Sequence, residues 1–471
     1  MTEAAVPAEA PAPPTRRYDR SIVEGPLRAT VWKLAWPTML ANVIGGLQGI
    51  VDNVLVGHLV GYQGNAAIGV SWQIFIVVIA FISSLFSGMG VLVARFAGAG
   101  EEEKVDGAVY QAFLTALGIS LGIMAPLGYF LSPWLLDLVN AAPKVQTEAL
   151  PFLRVMFLYS SGLMIFFMLG GALRAAGDAR TPMRLGFALT ALNLVLNVVL
   201  IRGLGPIPAF GTTGSAMGTV IASGLVAVYS LWKLWSGGWV VRFPRGHGLR
   251  PDWAIIRALF RFGLPTGIQG IVMNVGGVLM LAFIGSLAQS AAAQAAFAVS
   301  YSQLFSLITW AAMGLMGAAA AVAGQNLGAG QPDRAADAVR EAARVAFGVA
   351  AVVGAVFFIF PRQMLAVFGM DEPGVVEIGV QLLRVLSVSG LFLAVALTYT
   401  GGLQGTGDTR SPLYISIVSQ FALPLGICFA IQQFRPLNPL DIWIAILLGH
   451  AMRCTLSVLR FNQGQWRRIT V

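Results

Sequence analysis

The chain has 471 residues, 57% of them hydrophobic and only 11% charged, with a mean hydropathy of +0.76. A soluble domain carries about 25% charged residues, and one soluble core does not grow this large or this apolar. The net charge of +9 does not indicate nucleic acid as a partner, because the basic residues sit beside hydrophobic stretches.

Residues 1–30 are Ala/Pro-rich and end in Arg16, Arg17, Arg20 and Arg28. They hold no apolar h-region of a cleaved signal peptide, and are expected to be a disordered cytoplasmic tail. From about Val31 to Leu459 hydrophobic stretches follow one another with short polar breaks. A helical crossing takes roughly 20 apolar residues. The spans are predicted at 31–60, 69–95, 108–132, 151–174, 183–202 and 213–235, then at 258–287, 295–322, 339–360, 378–403, 413–432 and 438–460. The 55 glycines suit such helices, since small residues let backbones approach in lipid. Continuous apolar runs such as Ile74 to Leu85 exclude the alternation of a β-barrel. The expected organisation is an N-lobe (31–235), a cytoplasmic linker (236–257), a C-lobe (258–460) and a cytoplasmic tail (461–471).

The sequence is written twice. GALRAAGDARTP, ending at Pro182, returns as GLQGTGDTRSP, ending at Pro412, and Asp178 and Asp408 differ by 408 − 178 = 230. Gly98-Ala99-Gly100 returns as Gly328-Ala329-Gly330, and Leu153-Arg154-Val155 as Leu383-Arg384-Val385, at the same offset. Pro37-Thr38 returns as Pro265-Thr266 at an offset of 228. Six spans bring the chain back to its starting side, so the halves are parallel repeats, an arrangement known among transporters. The fold class expected is an all-α membrane protein of twelve helices in two parallel six-helix repeats. All but six of the 30 Lys and Arg residues fall on the side of the N-terminus, linker and C-terminus. By the positive-inside rule that side is cytoplasmic. The other side receives Lys144, Arg154, Arg202, Arg362, Arg384 and Arg435.

Local physics accounts for most of the repeated motifs. Thr181 and Ser411 are expected to cap the next helix, with Pro182 and Pro412 at its first position. The Gly-Ala-Gly turns end a helix and precede acidic helix starts, Glu101 to Glu103 in one half and Asp333 in the other. Pro37 and Pro265 lie inside spans, where each frees a carbonyl and permits a kink.

Of 21 acidic residues, Asp52 alone is predicted deep in a span. An Asp at mid-membrane costs roughly 2.5–3.5 kcal/mol on an insertion scale. Desolvation disfavours its charged form, which poises it to exchange a proton; ionised, it can coordinate Na⁺ with neutral oxygens. Asn193 and Asn197, spaced i, i+4 on one face of the fifth span, are its candidate partners. Gln48, Tyr159, Gln269, Asn274, Tyr301 and Gln303 are candidate lining for a central cavity. Gln73, Gln294 and Gln420 are further polar groups within spans.

No Lys is followed by Ser or Thr, so no P-loop is present, and His58, His247 and His450 form no metal-binding spacing. Cys428 and Cys454 lie in apolar runs and read as buried free thiols. No cofactor is expected, and the chain is not read as an enzyme. An ion-coupled secondary transporter fits best, ahead of a channel, for which rings of charge or a filter motif are absent, and of a membrane enzyme.

The segments LAWPTMLANVIGGLQGIVDNVLVGHL in the first span, GQNLGAGQPDRA after the eighth, GGALRAAGDARTP with its copy, LNLVLN around Asn193 and GSAMGTVIA around Thr219 resemble the multidrug and toxic compound extrusion (MATE) transporters over roughly residues 30–460. That resemblance implies a V-shaped two-lobe fold and export of organic, often cationic and amphipathic, compounds in exchange for H⁺ or Na⁺, with a lipid or lipid-linked oligosaccharide flippase of the same superfamily as the alternative. It places the cation site at Asp52, Asn193, Asn197 and Thr219, with Asp52, Asn193 and Asn197 as the Na⁺ ligands if Na⁺ is the ion. One branch of the family has a second Asp at the position of Asn197. Val272-Met273-Asn274 and Phe392-Leu393-Ala394, where some relatives carry acids, have no carboxylate. The counterparts of Asp52 are Ala282 at +230 and Met280 at +228, so coupling is expected in the first half alone. The expected setting is a monomer, multi-pass in a bacterial inner (plasma) membrane, with small organic molecules and the bilayer as its partners.

Overall fold

The computed structural model describes residues 18–139, 141–244 and 250–471. Arg16, Arg17 and the linker positions 245–249 lie outside the described residues. After a short α1 (Ser21–Glu24) come α2 (Leu27–Leu59), α3 (Tyr62–Ala99) and α4 (Glu102–Leu138, with a π-turn at Ser120–Met124). Next are the bent pair α5 (Pro143–Leu158) and α6 (Ser161–Ala175), then α7 (Arg180–Arg202) and α8 (Gly211–Ser236). The second half holds α9 (Trp253–Gly285), α10 (Ser290–Gly328, π-turn at Ala298–Leu304) and α11 (Pro332–Ile359). It continues with a short α12 (Pro361–Ala366), α13 (Pro373–Thr406), α14 (Arg410–Phe434, π-turn at Ile417–Ala422) and α15 (Pro439–Asn462).

Helices thus stand at all twelve predicted spans, and most run several residues past the predicted ends. Among the described residues, nine are long and apolar enough to cross a membrane, or ten if the α5–α6 pair is one span. α2 and α3, of 33 and 38 residues, complete the twelve. The fourth span breaks by 54° at Tyr159-Ser160. The two cysteines are free, Cys428 buried and Cys454 half-buried.

The halves exchange their leading helices. α2 packs on α10, and α9 packs on α3, so each half's first span lies against the other's second. Val31, Leu34 and Ala35 at the start of α2 belong to the second half's apolar core, and Leu259 and Phe262 of α9 to the first half's. Glycine makes the closest crossing possible. A Cβ on Gly98 would overlap the Gln325 carbonyl oxygen, and one on Gly328 would overlap that of Arg95. Both pairs keep the repeat offset, 328 − 98 and 325 − 95 each giving 230. The Gly-Ala-Gly turns therefore do more than end helices: their first glycine lets α3 and α10 touch backbone to backbone.

Two expectations about local structure are corrected. Residues 18–30 are not a disordered tail. α1 is ordered because Ile22 is fully buried in the second half's core and the Asn326 side chain donates to its carbonyl. The caps of α7 and α14 are the aspartates, not Thr181 and Ser411. Asp178 accepts from the Thr181 backbone N–H at 2.9 Å, and Asp408 from that of Ser411 at 3.1 Å. The Thr181 and Ser411 hydroxyls donate to the same carboxylates, and the prolines sit at the third helical position. A carboxylate offers two acceptor oxygens where a hydroxyl offers one weaker one, which gives it the cap.

Candidate functional site

Gln48 and Asp52 are one turn apart on α2. Thr190, Asn193 and Asn197 follow an i, i+3, i+7 stripe on α7, and Thr219 lies on α8. α7 packs against both α2 and α8, so three stripes of polar side chains meet between apolar surfaces. Asn197 Nδ2 donates to Asp52 Oδ1 at 2.9 Å and to Asn193 Oδ1 at 3.2 Å. Asn193 Nδ2 donates to Thr219 Oγ1 at 3.0 Å, and that hydroxyl donates to the Ser215 carbonyl at 3.1 Å. Gln48 Nε2 donates to Asn193 Oδ1 at 2.8 Å, and the Thr190 hydroxyl to Gln48 Oε1 at 2.6 Å. Asn193 and Asn197 are 1% and 0% exposed, so these bonds form where water does not compete.

Gly218 supplies the space. A Cβ there would overlap Asn197 Oδ1 and sit 3.2 Å from both its Cγ and its backbone nitrogen. Asn197 Oδ1 is buried and, among the described residues, accepts no hydrogen bond. A buried acceptor left without a donor costs about 1–3 kcal/mol. The other end of the same amide bonds the Asp52 carboxylate, so a rotation of the Asn197 amide would offer this oxygen to a cation or a protonated carboxyl there. The residue types fit a small cation: oxygens from one acid, two amides and a hydroxyl, with the unpaired amide oxygen on the side chain that bonds the acid.

Five of the ten candidate residues therefore converge: Asp52, Asn193, Asn197, Thr219 and Gln48, the last joining the polar cluster and not a cavity wall. The others stand elsewhere. Tyr159 is 57% exposed at the bend of the fourth span. Gln269 is buried in the second half, donating to Ser416 Oγ at 2.8 Å and accepting from Gln404 at 3.1 Å. Asn274 is exposed and donates to the Gly270 carbonyl on its own helix. Tyr301 lies in a row of rings, 4.8 Å from Phe297 and 5.3 Å from Phe305 by centroid. The exposed Gln303 uses its carbonyl to accept from Ser306. Thr190 and Gly218 were not singled out in the sequence. Thr190 was findable, as it extends the Asn193/Asn197 face by one turn.

The second half has polar chemistry of opposite sign. Arg453, counted from the sequence with the basic cytoplasmic end, sits inside α15 at 2% exposure. Its Nε and Nη1 are without an acceptor among the described residues. One turn earlier His450 is equally buried, bonded through Nδ1 to Ser389 Oγ and stacked on Phe305. A guanidinium keeps its charge in a protein, so the interior of this half carries a fixed positive charge. An arginine and a histidine three residues apart within an apolar run were the available sequence signal.

The model of the MatE family matches residues 37–199 and 265–430. The two matches open on the repeated prolines, Pro37 and Pro265. The chain is 28% identical over 452 residues to the probable multidrug resistance protein NorM of Thermotoga maritima, covering 94% of each. It is 26% identical over 443 residues to the multidrug resistance protein MdtK of Edwardsiella ictaluri, covering 91% of this chain and 94% of that one. Among solved structures, an outward-facing MATE transporter of the MOP superfamily superposes with a TM-score of 0.86 at 21% identity, covering 95% of this chain and 97% of that one. A MOP superfamily transporter from Pyrococcus furiosus, described as having a binding pocket of reverse polarity, superposes at 0.84, covering 96% and 98%. Two matches of one family model, set at the spacing of the internal repeat, together with this two-lobe helical fold, establish the chain as a member of the MatE family of membrane transporters.

Proposed function

We propose that the chain is a secondary active antiporter that exports organic, often cationic and amphipathic, compounds in exchange for H⁺ or Na⁺, with Asp52 as its coupling residue. The observation that carries this reading is the bond from Asn197 Nδ2 to Asp52 beside the bare Asn197 Oδ1. As a carboxylate, Asp52 only accepts hydrogen bonds; protonated, it gains a donor. Either a proton on Asp52 or Na⁺ held by Asp52, Asn193 and Asn197 changes which of these bonds are favourable. Because the bonds tie α2 to α7, ion binding biases how the first span packs. α2 also packs on α10 of the other half, which links that bias to the relation between the lobes. Antiport follows if the ion and the exported compound favour opposite arrangements. The names of the curated relatives support the substrate class.

Coupling belongs to the first half alone. The counterparts of Asp52 are apolar, Met280 being core, and the buried Arg453 adds a positive charge to the interior of the second half. The proposed organisation is an N-lobe (31–235) and a C-lobe (258–460) in a bacterial inner membrane. The monomer has the face bearing α1 and the residues after α15 in the cytoplasm, in keeping with the Lys/Arg distribution. The test is Asp52→Asn in proteoliposomes, with export of a cationic fluorescent dye followed under an imposed gradient. Gradient-driven export should disappear while the purified protein keeps its melting temperature; undiminished export overturns the reading.

A further inference from the structure

The segments that flank the twelve spans dock on the α3–α10 crossing in matching ways. Before α2, Ile22 is fully buried against Gly177, where an added Cβ would lie 2.5 Å from Ile22 Cδ1. After α15, Ile469 lies against Gly407, where an added Cβ would lie 3.0 Å from Ile469 Cγ2. Gly177 and Gly407 are repeat counterparts, 407 − 177 = 230, with left-handed φ of +99° and +101° that favour glycine. Each segment is also held by its carbonyl from the opposite half. Asn326 Nδ2 of α10 donates to the Ile22 carbonyl at 3.2 Å, and Arg95 Nη2 of α3 donates to that of Ile469 at 2.5 Å.

Each segment therefore bridges the two halves. Ile22 touches the first half through Gly177 and belongs to the second half's core, and Arg334 donates to the nearby Gly25 carbonyl. Ile469 touches the second half through Gly407 and packs on the first half's core. Trp466, 1% exposed and stacked on Phe461 at 4.9 Å, anchors that segment, and Arg467 pairs with Asp333 of α11 at 2.9 Å. The two sequences are unrelated, yet they fill equivalent notches at the line where the backbones of α3 and α10 meet. Mere packing of loose ends does not require the two to match.

We infer that Ser21–Gly25 and Trp466–Ile469 are a pair of straps, equivalent under the internal repeat, that hold the lobe seam shut on this face and must leave the Gly177 and Gly407 notches before the seam opens. This deepens the antiport reading, since alternating access needs the seam to open, but its test measures separation of the lobes without measuring transport. Spin labels at Glu103→Cys and Gln331→Cys, both exposed beside the crossing, report that separation in a chain with Cys428→Ala and Cys454→Ala. Reconstituted protein carrying Ile22→Ala and Ile469→Ala should gain a second, longer distance population, and each single change should give a smaller gain of similar size. A double variant that keeps its melting temperature and an unchanged distance distribution overturns the proposal. If the double variant does not fold, hydrogen exchange on the unmodified protein decides. Amides at Gly25 and Ile469 must then exchange at least as readily as those of Gly98 and Gly328 at the crossing. Faster exchange at the crossing than at both straps would mean that the seam opens beneath docked straps, and overturns the proposal equally.

Discussion

Gly218→Ala is a single-carbon probe of the polar cluster. The new Cβ would overlap Asn197 Oδ1 and press within 3.2 Å of its Cγ and backbone nitrogen. The Asn197 side chain must then turn away, which endangers its bonds to Asp52 and Asn193. A bond to an ionised partner is worth about 1.5–3 kcal/mol, and overpacking of a filled site costs about 1–3 kcal/mol. The alanine returns up to about 1 kcal/mol as a better helix former. Overall stability should therefore fall by about 1.5–5 kcal/mol, of which the Asp52 bond is the part that belongs to the site. At 1.4 kcal/mol per factor of ten, cation-dependent transport should weaken by about 10- to 100-fold. Gly224→Ala, six residues along the same helix, is the control, because among the described residues nothing lies within 4 Å of its added Cβ. The assay is dye export by proteoliposomes against imposed cation gradient, paired with melting temperatures in detergent. Wild-type gradient dependence in Gly218→Ala, or an equal loss in Gly224→Ala, would refute the assignment of Asn197 to the coupling site.

Three further outcomes follow from the same structure. Gly98→Ala and Gly328→Ala should each destabilise the protein by about 1–3 kcal/mol, because a Cβ meets backbone and not a movable side chain; Gly90→Ala, whose added Cβ meets nothing within 4 Å among the described residues, should be near neutral in the same melts. Asp178→Ala should cost about 1 kcal/mol as a lost cap, and Asp408→Ala more, since Asp408 also pairs with Arg460 at 3.2 Å; equal melting temperatures for the two would contradict this. Burial pushes the Asp19 carboxyl up, but bonds from Lys33 and Ser21 outweigh it and hold the group below the usual aspartate range. Its contribution to docking of the segment before α2 is thus complete above about pH 4 and lost only as pH falls through the lowered value. Hydrogen exchange at Ile22 to Gly25 should accordingly show no step from this group between pH 5 and 8.

Much of this was legible in one dimension because lipid imposes simple rules. A crossing needs a long apolar run, so all twelve spans were placed, though their ends were drawn short where polar residues extend the helices past the apolar runs. The i, i+4 asparagines and the lone Asp52 were legible because polar atoms inside a span must find partners. Sequence offers no measure of which helices touch, so Gly218 and the α2–α10 exchange were not. Arg453 counts with the flanking charges by its nearness to the C-terminal end of the predicted span 438–460, but α15 runs on to Asn462 and buries it. The segment before α2 was read as a tail from its Ala, Pro and Arg content, and one isoleucine in a glycine notch outweighs that composition. Thr181 and Ser411 looked like caps because hydroxyls commonly are, but the aspartates three residues earlier reach the same N–H groups.

The central claim is that one ion site, built on Asp52 in the first half, drives export. Its most direct test is dye transport by the reconstituted wild-type chain and Asp52→Asn, with a pH gradient and a Na⁺ gradient imposed separately. The account predicts that at least one gradient drives export by the wild type and that neither drives it through Asp52→Asn. Export by Asp52→Asn at the wild-type rate under the same gradient would contradict it.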